Sequence, residues 1–135
     1  MRVLFWYCKK FSWVPAIKTL ETAPVAKSGE YQDVLVAFIH IEPKDVIEGN
    51  SSAKKLLKNI KWLANKWDNK KVILHSFTHL GEDKADAGDA LELINRIEAR
   101  LINVDYEVNQ TPYGYFLELD MKAKGHPLAR IYKEF

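Results

Sequence analysis

Eight consecutive residues from Val34 to Ile41, VLVAFIHI, form a β-branched and aromatic run broken only by His40. A strand with one face in water alternates apolar and polar residues, whereas this run does not. It predicts an interior strand. Around it the chain must supply neighbouring strands and layers that cover the sheet.

Val3 to Cys8, VLFWYC, is a second strand-length run, bounded by Lys9 and Lys10. Phe11 to Leu20 contains Pro15, which demotes it to an edge strand or an irregular hairpin partner. Pro, Ser and Gly mark Glu21 to Gly29 as a loop. After the Pro43–Asn50 turn, Asn50 and Ser51 are candidate caps for a helix reaching Trp67. Leu56, Ile60, Leu63 and Trp67 share its apolar stripe, widened by Leu57 and Ala64. Val72 to Phe77 reads as a strand. A second helix over about Asp86–Leu101 carries Ala87, Ala90, Leu91, Ile94, Ile97 and Leu101 on one face. Val104, Tyr106 and Val108 alternate over Asn103–Val108. Beyond the Pro112-Tyr113-Gly114 turn, Tyr115, Leu117, Leu119 and Met121 alternate with Phe116, Glu118, Asp120 and Lys122. The order β, weak β, β, α, β, α, β, β predicts an α/β (α+β) fold: a mixed sheet with two helices packed largely on one side.

With 135 residues, 47% of them hydrophobic, the chain reads as one domain over 1–135 that can bury a core. A net charge of +2 does not by itself imply nucleic acid. The single cysteine, Cys8, rules out an internal disulfide framework and a cysteine zinc cluster. It fits a reducing, cytoplasmic location. No apolar run approaches the roughly 20 residues of a membrane span. Met1 to Phe5 reads as a first strand, not a signal peptide. Phosphate-loop and dinucleotide fingerprints are absent, so kinase, NTPase and dehydrogenase readings have no support.

His79 is the best candidate for chemistry. It follows a strand end and precedes the Gly81–Asp86 turn, where side chains converge on clefts, and imidazole exchanges protons near neutral pH. By pattern alone, a histidine satisfying a loop carbonyl is the commoner outcome. Gly114 lets a ligand approach the backbone of Pro112–Phe116, although an ordinary turn gives the same residues. Lys124-Gly125-His126-Pro127 reads as a structural turn. His40 and His75 lie within apolar strands and read as packing. Glu82, Asp83, Asp86 and Asp89 are explained by helix capping. Lys54, Lys55, Lys58 and Lys61, followed by Lys66, Lys70 and Lys71, form either a solvated helix face or a phosphate contact.

Three blocks carry a family resemblance: Val34–Ile39, Phe77-Thr78-His79-Leu80, and Pro112–Leu128 with its Gly-His-Pro-Leu tetrapeptide. The opening Met1-Arg2-Val3-Leu4, the length and the element order agree with it. On these residues the chain resembles the N-terminal editing domain of archaeal threonyl-tRNA synthetases. The resemblance implies a D-aminoacyl-tRNA deacylase-like fold and a homodimer. It implies hydrolysis of serine misattached to threonine tRNA, with the aminoacyl-tRNA 3′ end and a separate or covalently linked synthetase as partners. No metal or organic cofactor is implied. His79 would organise substrate or water. Ile41, Phe77, Thr78, Tyr113, Gly114, Tyr115, Phe116 and Leu117 would line the aminoacyl pocket.

There are three departures. Leu117 stands where the family has a catalytic lysine, Arg130 where it has a glutamate, and Tyr7-Cys8-Lys9 where it has His-Ser-Asp. The alternative reading is therefore an inactive relative that binds an amino acid or aminoacyl-tRNA beside a separate synthetase.

Overall fold

The computed structural model describes residues 1–135. The elements are β1 (Arg2–Lys18), β2 (Gly29–His40), α1 (Ser52–Trp67), β3 (Lys71–Ser76), α2 (Ala87–Ile102), β4 (Glu107–Gln110), β5 (Tyr115–Ala123) and β6 (Arg130–Glu134). They build one six-stranded sheet in the order β4-β3-β2-β1-β5, with β6 sharing an edge of β1 with β5. β6 pairs with Arg2–Trp6 and β5 with Cys8–Lys18. β1 and β2 are antiparallel, while β2–β3 and β3–β4 are parallel.

That order explains the layering. The crossovers β2-α1-β3 and β3-α2-β4 step across the sheet in the same direction. Right-handed crossovers stepping one way put their helices on one face. The larger core accordingly joins Met1, Val3, Phe5, Leu35, Ala37, Ile39, Val72 and Leu74 to Leu56, Ile60 and Leu63 of α1 and to Leu93, Ile94 and Ile97 of α2. A smaller cluster of Cys8, Phe11, Trp13, Val34, Val36, Phe38 and Ile73 occupies the helix-free face. Each fully buried Leu, Ile or Phe contributes about 1.5–3 kcal/mol, so the double-sided burial of β2 anchors the fold.

β1 corrects the expected break after Cys8. It is a single strand of 17 residues. Its face changes parity between Cys8 and Phe11, and β2 does the same between Tyr31 and Val34, where Asp33 has φ 49°. Opposite β5 the register slips by one residue between Cys8 and Lys10, so the lysine pair marks a bulge within the strand. Pro15 precedes the second slip. There β1 has run past its last β2 partner, Trp13↔Gly29, so the missing N–H of Pro15 leaves no gap on that side. Two further differences concern the later strands. Val104 lies in the turn after α2, with Asp105 at φ 66°, and the strand there is confined to Glu107–Gln110. β6 was not foreseen at all. On α2 the buried position is Leu93, whereas Leu91 is only half-buried.

The helix termini follow sequence chemistry. The Asp86 carboxylate accepts from the amides of Gly88 and Asp89 at the start of α2. At α1, Asn50 Oδ1 accepts from the Ser52 amide, while the Ser51 side chain makes no capping bond. The Met1 ammonium meets Glu42 and Asp45 at 2.8 Å each, tying the start of β1 to the Pro43–Val46 turn.

Candidate functional site

In an open sheet with parallel strands, the crevice beyond their carboxyl ends is where ligands collect. Here the carboxyl ends of the mutually parallel strands β2, β3 and β4 deliver Ile41, His75–His79 and Thr111–Pro112 to one cavity of about 500 Å³. Its remaining walls are the loop leading into α2 with the first turn of that helix, the β4–β5 turn with the first residues of β5, and Thr19–Leu20 just past the end of β1. Ligand pockets typically span about 300–1,000 Å³.

The loop after β3 is fastened from below. The Phe77 amide bonds Ile39 O at 2.9 Å, and the Ala85 amide bonds Ile41 O at 2.9 Å. Between them His40, fully buried, spans the loop. Its Nδ1 accepts from the Leu80 amide at 3.0 Å, and its Nε2 lies 2.6 Å from Asp83 O. An amide can only donate and a carbonyl only accept, so the ring is the neutral Nε2–H tautomer. Arg2 Nη1 adds a bond to Leu80 O at 3.2 Å. A histidine that reads as packing is thus the clamp of the loop carrying Thr78 and His79.

His75 behaves similarly. Its ring sits against Phe38 and Phe77, with centroids 4.7 and 6.0 Å away. Its Nδ1 pairs with Thr111 Oγ1 at 2.8 Å, joining the ends of β3 and β4. Burial pushes its pKa down to about 4, so the imidazole is neutral at physiological pH. It also lines the cavity, with Nε2 free of protein partners.

The β4–β5 turn is held against the end of β1. Gly114 O accepts from the amides of Thr19 at 2.8 Å and Leu20 at 3.3 Å. Gly114 has φ +85°, and a Cβ there would lie 2.9 Å from Ala23 Cβ. Both facts require glycine. Tyr113 donates its hydroxyl to Ala87 O at 2.8 Å, and burial together with nearby Asp86 raises its pKa.

Every residue assigned to the pocket from the sequence lines this cavity: Ile41, Phe77, Thr78, His79, Tyr113, Gly114, Tyr115, Phe116 and Leu117. His79 is exposed, rests edge-on against the Phe77 ring at 5.1 Å, and forms no hydrogen bond within the protein. Both its nitrogens are free for a ligand. The sequence does not point to His75, Lys84, Thr111 and Leu20, because strand pairing and loop-to-loop backbone bonds bring them in and no local motif marks them. Of the three places where the resemblance leads one to expect a different residue, only Leu117 is on the wall. Arg130 lies over Trp6 and donates to Lys124 O at 2.7 Å. Tyr7 stacks on Trp67 at 4.1 Å, and Cys8 is buried with its thiol pushed up to about 11, which leaves it a poor nucleophile. His126 Nδ1 accepts from the Leu128 amide, a structural turn as its sequence suggests. No three His, Cys, Asp or Glu side chains converge as metal ligands. No helix is long and apolar enough to cross a membrane.

The profile of the archaea-specific editing domain of threonyl-tRNA synthetase matches residues 1–135. Threonine–tRNA ligase of Methanopyrus kandleri is 29% identical over 133 residues, covering 97% of this chain and 21% of the ligase. That of Thermococcus kodakarensis is 32% identical over 105 residues, covering 78% and 17%. That of Pyrobaculum aerophilum is 29% identical over 136 residues, covering 100% and 22%. The chain therefore spans about a fifth of the length of these ligases. Among solved structures, the c-Myc DNA Unwinding Element Binding Protein superposes with a TM-score of 0.70 at 10% identity, covering 100% of this chain and 99% of that one. That likeness carries the fold alone, an α+β architecture with a mixed sheet and two helices. On the match along its whole length, the chain belongs to the family of archaea-specific editing domains of threonyl-tRNA synthetase.

Proposed function

We propose that this domain removes serine wrongly esterified to threonine tRNA, by attack of water on the ester at the tRNA 3′ end. The observation that carries the reading is convergence. Residues from five separate segments (Thr19–Leu20, Ile41, His75–His79, Lys84–Ala85 and Thr111–Leu117) meet at one cavity in a chain of this family. Threonine differs from serine by one methyl group, worth only about 1–3 kcal/mol in a binding pocket. A second site that admits the smaller residue corrects the error that remains. Apolar walls at Ile41, Phe77, Ala85 and Leu117 suit a small side chain, and the Gly114 backbone allows close approach. His79, unpaired and at the end of β3, orients water or the ester.

The partners in this reading are the aminoacylated 3′ end and a linked or separate synthetase. Two copies of the domain would associate through the helix-free face, where Phe77 and Leu117 are half-buried beside the cavity. Sedimentation equilibrium tests that association, and a monomer at micromolar concentration refutes it.

Leu117 favours a second reading, because a hydrocarbon side chain neither polarises a carbonyl nor orients water. In that reading the cavity binds the aminoacyl end without cleaving it. Deacylation of Ser-tRNA(Thr), with Thr-tRNA(Thr) alongside, separates the two. Selective release of serine is the expected result. Binding of a seryl-adenosine amide analogue without release of serine from the ester would transfer the case to the second reading.

A further inference from the structure

Lys84 is the only lysine or arginine on the wall of the cavity, and no carboxylate lines it. The other polar groups there are hydroxyls, imidazoles and main chain. Lys84 is exposed and makes neither a hydrogen bond nor an ion pair with the protein, although Glu82, Asp83 and Asp86 are its neighbours in sequence. Asp86 is occupied in capping α2. The backbone on either side of Lys84 is pinned: Asp83 O lies 2.6 Å from His40 Nε2, and the Ala85 amide bonds Ile41 O at 2.9 Å. A flexible cationic side chain thus springs from a fixed point on the rim. A lysine left without a protein partner, facing a cavity with no carboxylate on its wall, is placed to meet an anionic oxygen of a ligand.

We propose that the Lys84 ammonium contacts an anionic oxygen of the bound aminoacyl-nucleotide. This inference rests on the deacylase reading for the identity of that ligand. Two oxygens have the required chemistry. One is the phosphate of the terminal nucleotide, charged before reaction. The other is the ester carbonyl oxygen, which gains charge as water adds and returns it when the 3′-oxygen leaves with a proton. The phosphate contact acts in the ground state and the carbonyl contact in the transition state, so kinetics tell them apart.

The experiment compares the wild-type protein with Lys84→Met, an exposed position whose substitution leaves the core untouched. Single-turnover and steady-state deacylation of Ser-tRNA(Thr) give kcat and KM. Binding is measured with a seryl-adenosine amide analogue, prepared with and without its 5′-phosphate. A kcat lowered by about 10²-fold with KM unchanged assigns Lys84 to the developing oxyanion. A weakening of about tenfold or more for the phosphorylated analogue alone assigns it to the phosphate. Lys84→Met within twofold of wild type in kcat, KM and both affinities overturns the proposal. The two readings fail separately. A wild type that binds the analogues but releases no serine ends the deacylase reading, while the difference between wild type and Lys84→Met in binding still decides the role of Lys84.

Discussion

Gly114 is where fold and site are most tightly joined, and Gly114→Ala measures that link. Its φ of +85° costs an L-residue about 1–2 kcal/mol. The new methyl carbon would lie 2.9 Å from Ala23 Cβ and 3.1 Å from Leu20 Cβ, inside the roughly 3.5–4.0 Å of favourable carbon contact. Retreat of the Leu20–Ala23 segment is resisted by the Thr19 and Leu20 amides bonded to Gly114 O, and by the Tyr115 hydroxyl bonded to Pro24 O. Forcing such a segment apart costs about 1–3 kcal/mol more. The expected loss is about 2–5 kcal/mol, which lowers the urea midpoint by about 1–2.5 M for a domain of this size. Gly125→Ala is the control: nothing lies within 4 Å of its added carbon, and its φ is not left-handed. Leu20 and Gly114 share the cavity wall, so Gly114→Ala also weakens binding of the seryl-adenosine analogue. Equal midpoints for the two alanine variants would refute the role given to the turn.

His75 is held neutral, with a folded pKa of about 4 against an ordinary 6.5. The unfolded chain therefore takes up the proton first. The stabilisation from its burial is complete above pH 6.5 and is lost as pH falls towards 4, by up to about 3 kcal/mol. His75→Phe should flatten the stability profile in that window, measured by urea titration at each pH; an unchanged slope sinks the assignment. Burial opposes the charge on Asp45, yet bonds from the Met1 ammonium, the Ser52 hydroxyl and the Glu42 amide outweigh it and hold the carboxyl below its usual range. That contribution is present above about pH 4 and is lost on further acidification. Asp45→Asn leaves the ammonium with Glu42 as its one carboxylate partner and should cost about 3 kcal/mol at pH 7; a calorimetric loss under 1 kcal/mol would contradict this. His40→Ala strips the partners from the Leu80 amide and the Asp83 carbonyl. Faster hydrogen exchange at Leu80 and Ala85, with weaker analogue binding, is the expected signature. Unchanged protection would show that the loop does not depend on the clamp.

Periodicity made much of this fold legible. The VLVAFIHI run and the two amphipathic stripes place β2, α1 and α2 close to where they lie, because burial on one or both faces writes itself into local sequence. What failed to show was set by pairing between distant residues. Lys9–Lys10 looks like a strand end but is a bulge opposite β5, and Arg130–Glu134 becomes a strand only because the first half of β1 offers it an edge. A five-residue segment with alternating exposure has too little apolar content to announce itself.

The lining of the candidate cavity was legible in these sequence blocks, and its supports were not. His40 and His75 sit in apolar runs and resemble packing, yet one clamps the Leu80–Asp83 loop and the other ties β3 to β4 at the cavity. Their partners are 36 to 43 residues away, beyond any motif. The arrangement also explains how the cavity keeps its shape with a hydrocarbon side chain at Leu117. The cavity exists because three parallel strands end together and a glycine turn closes against β1, and those features are made of main chain. Side chains on such a frame can change without loss of its shape, so charge for the proposed reaction need not come from position 117. Lys84 and His79 are the two ionisable side chains on the wall with no hydrogen-bond partner inside the protein, and both have the chemistry to act on an ester. If the wild-type domain releases serine, removing Lys84 and His79 separately and together measures whether they work as one unit. Losses that multiply place them on different parts of the ligand, and a double variant no worse than the poorer single one places both at the reacting carbonyl.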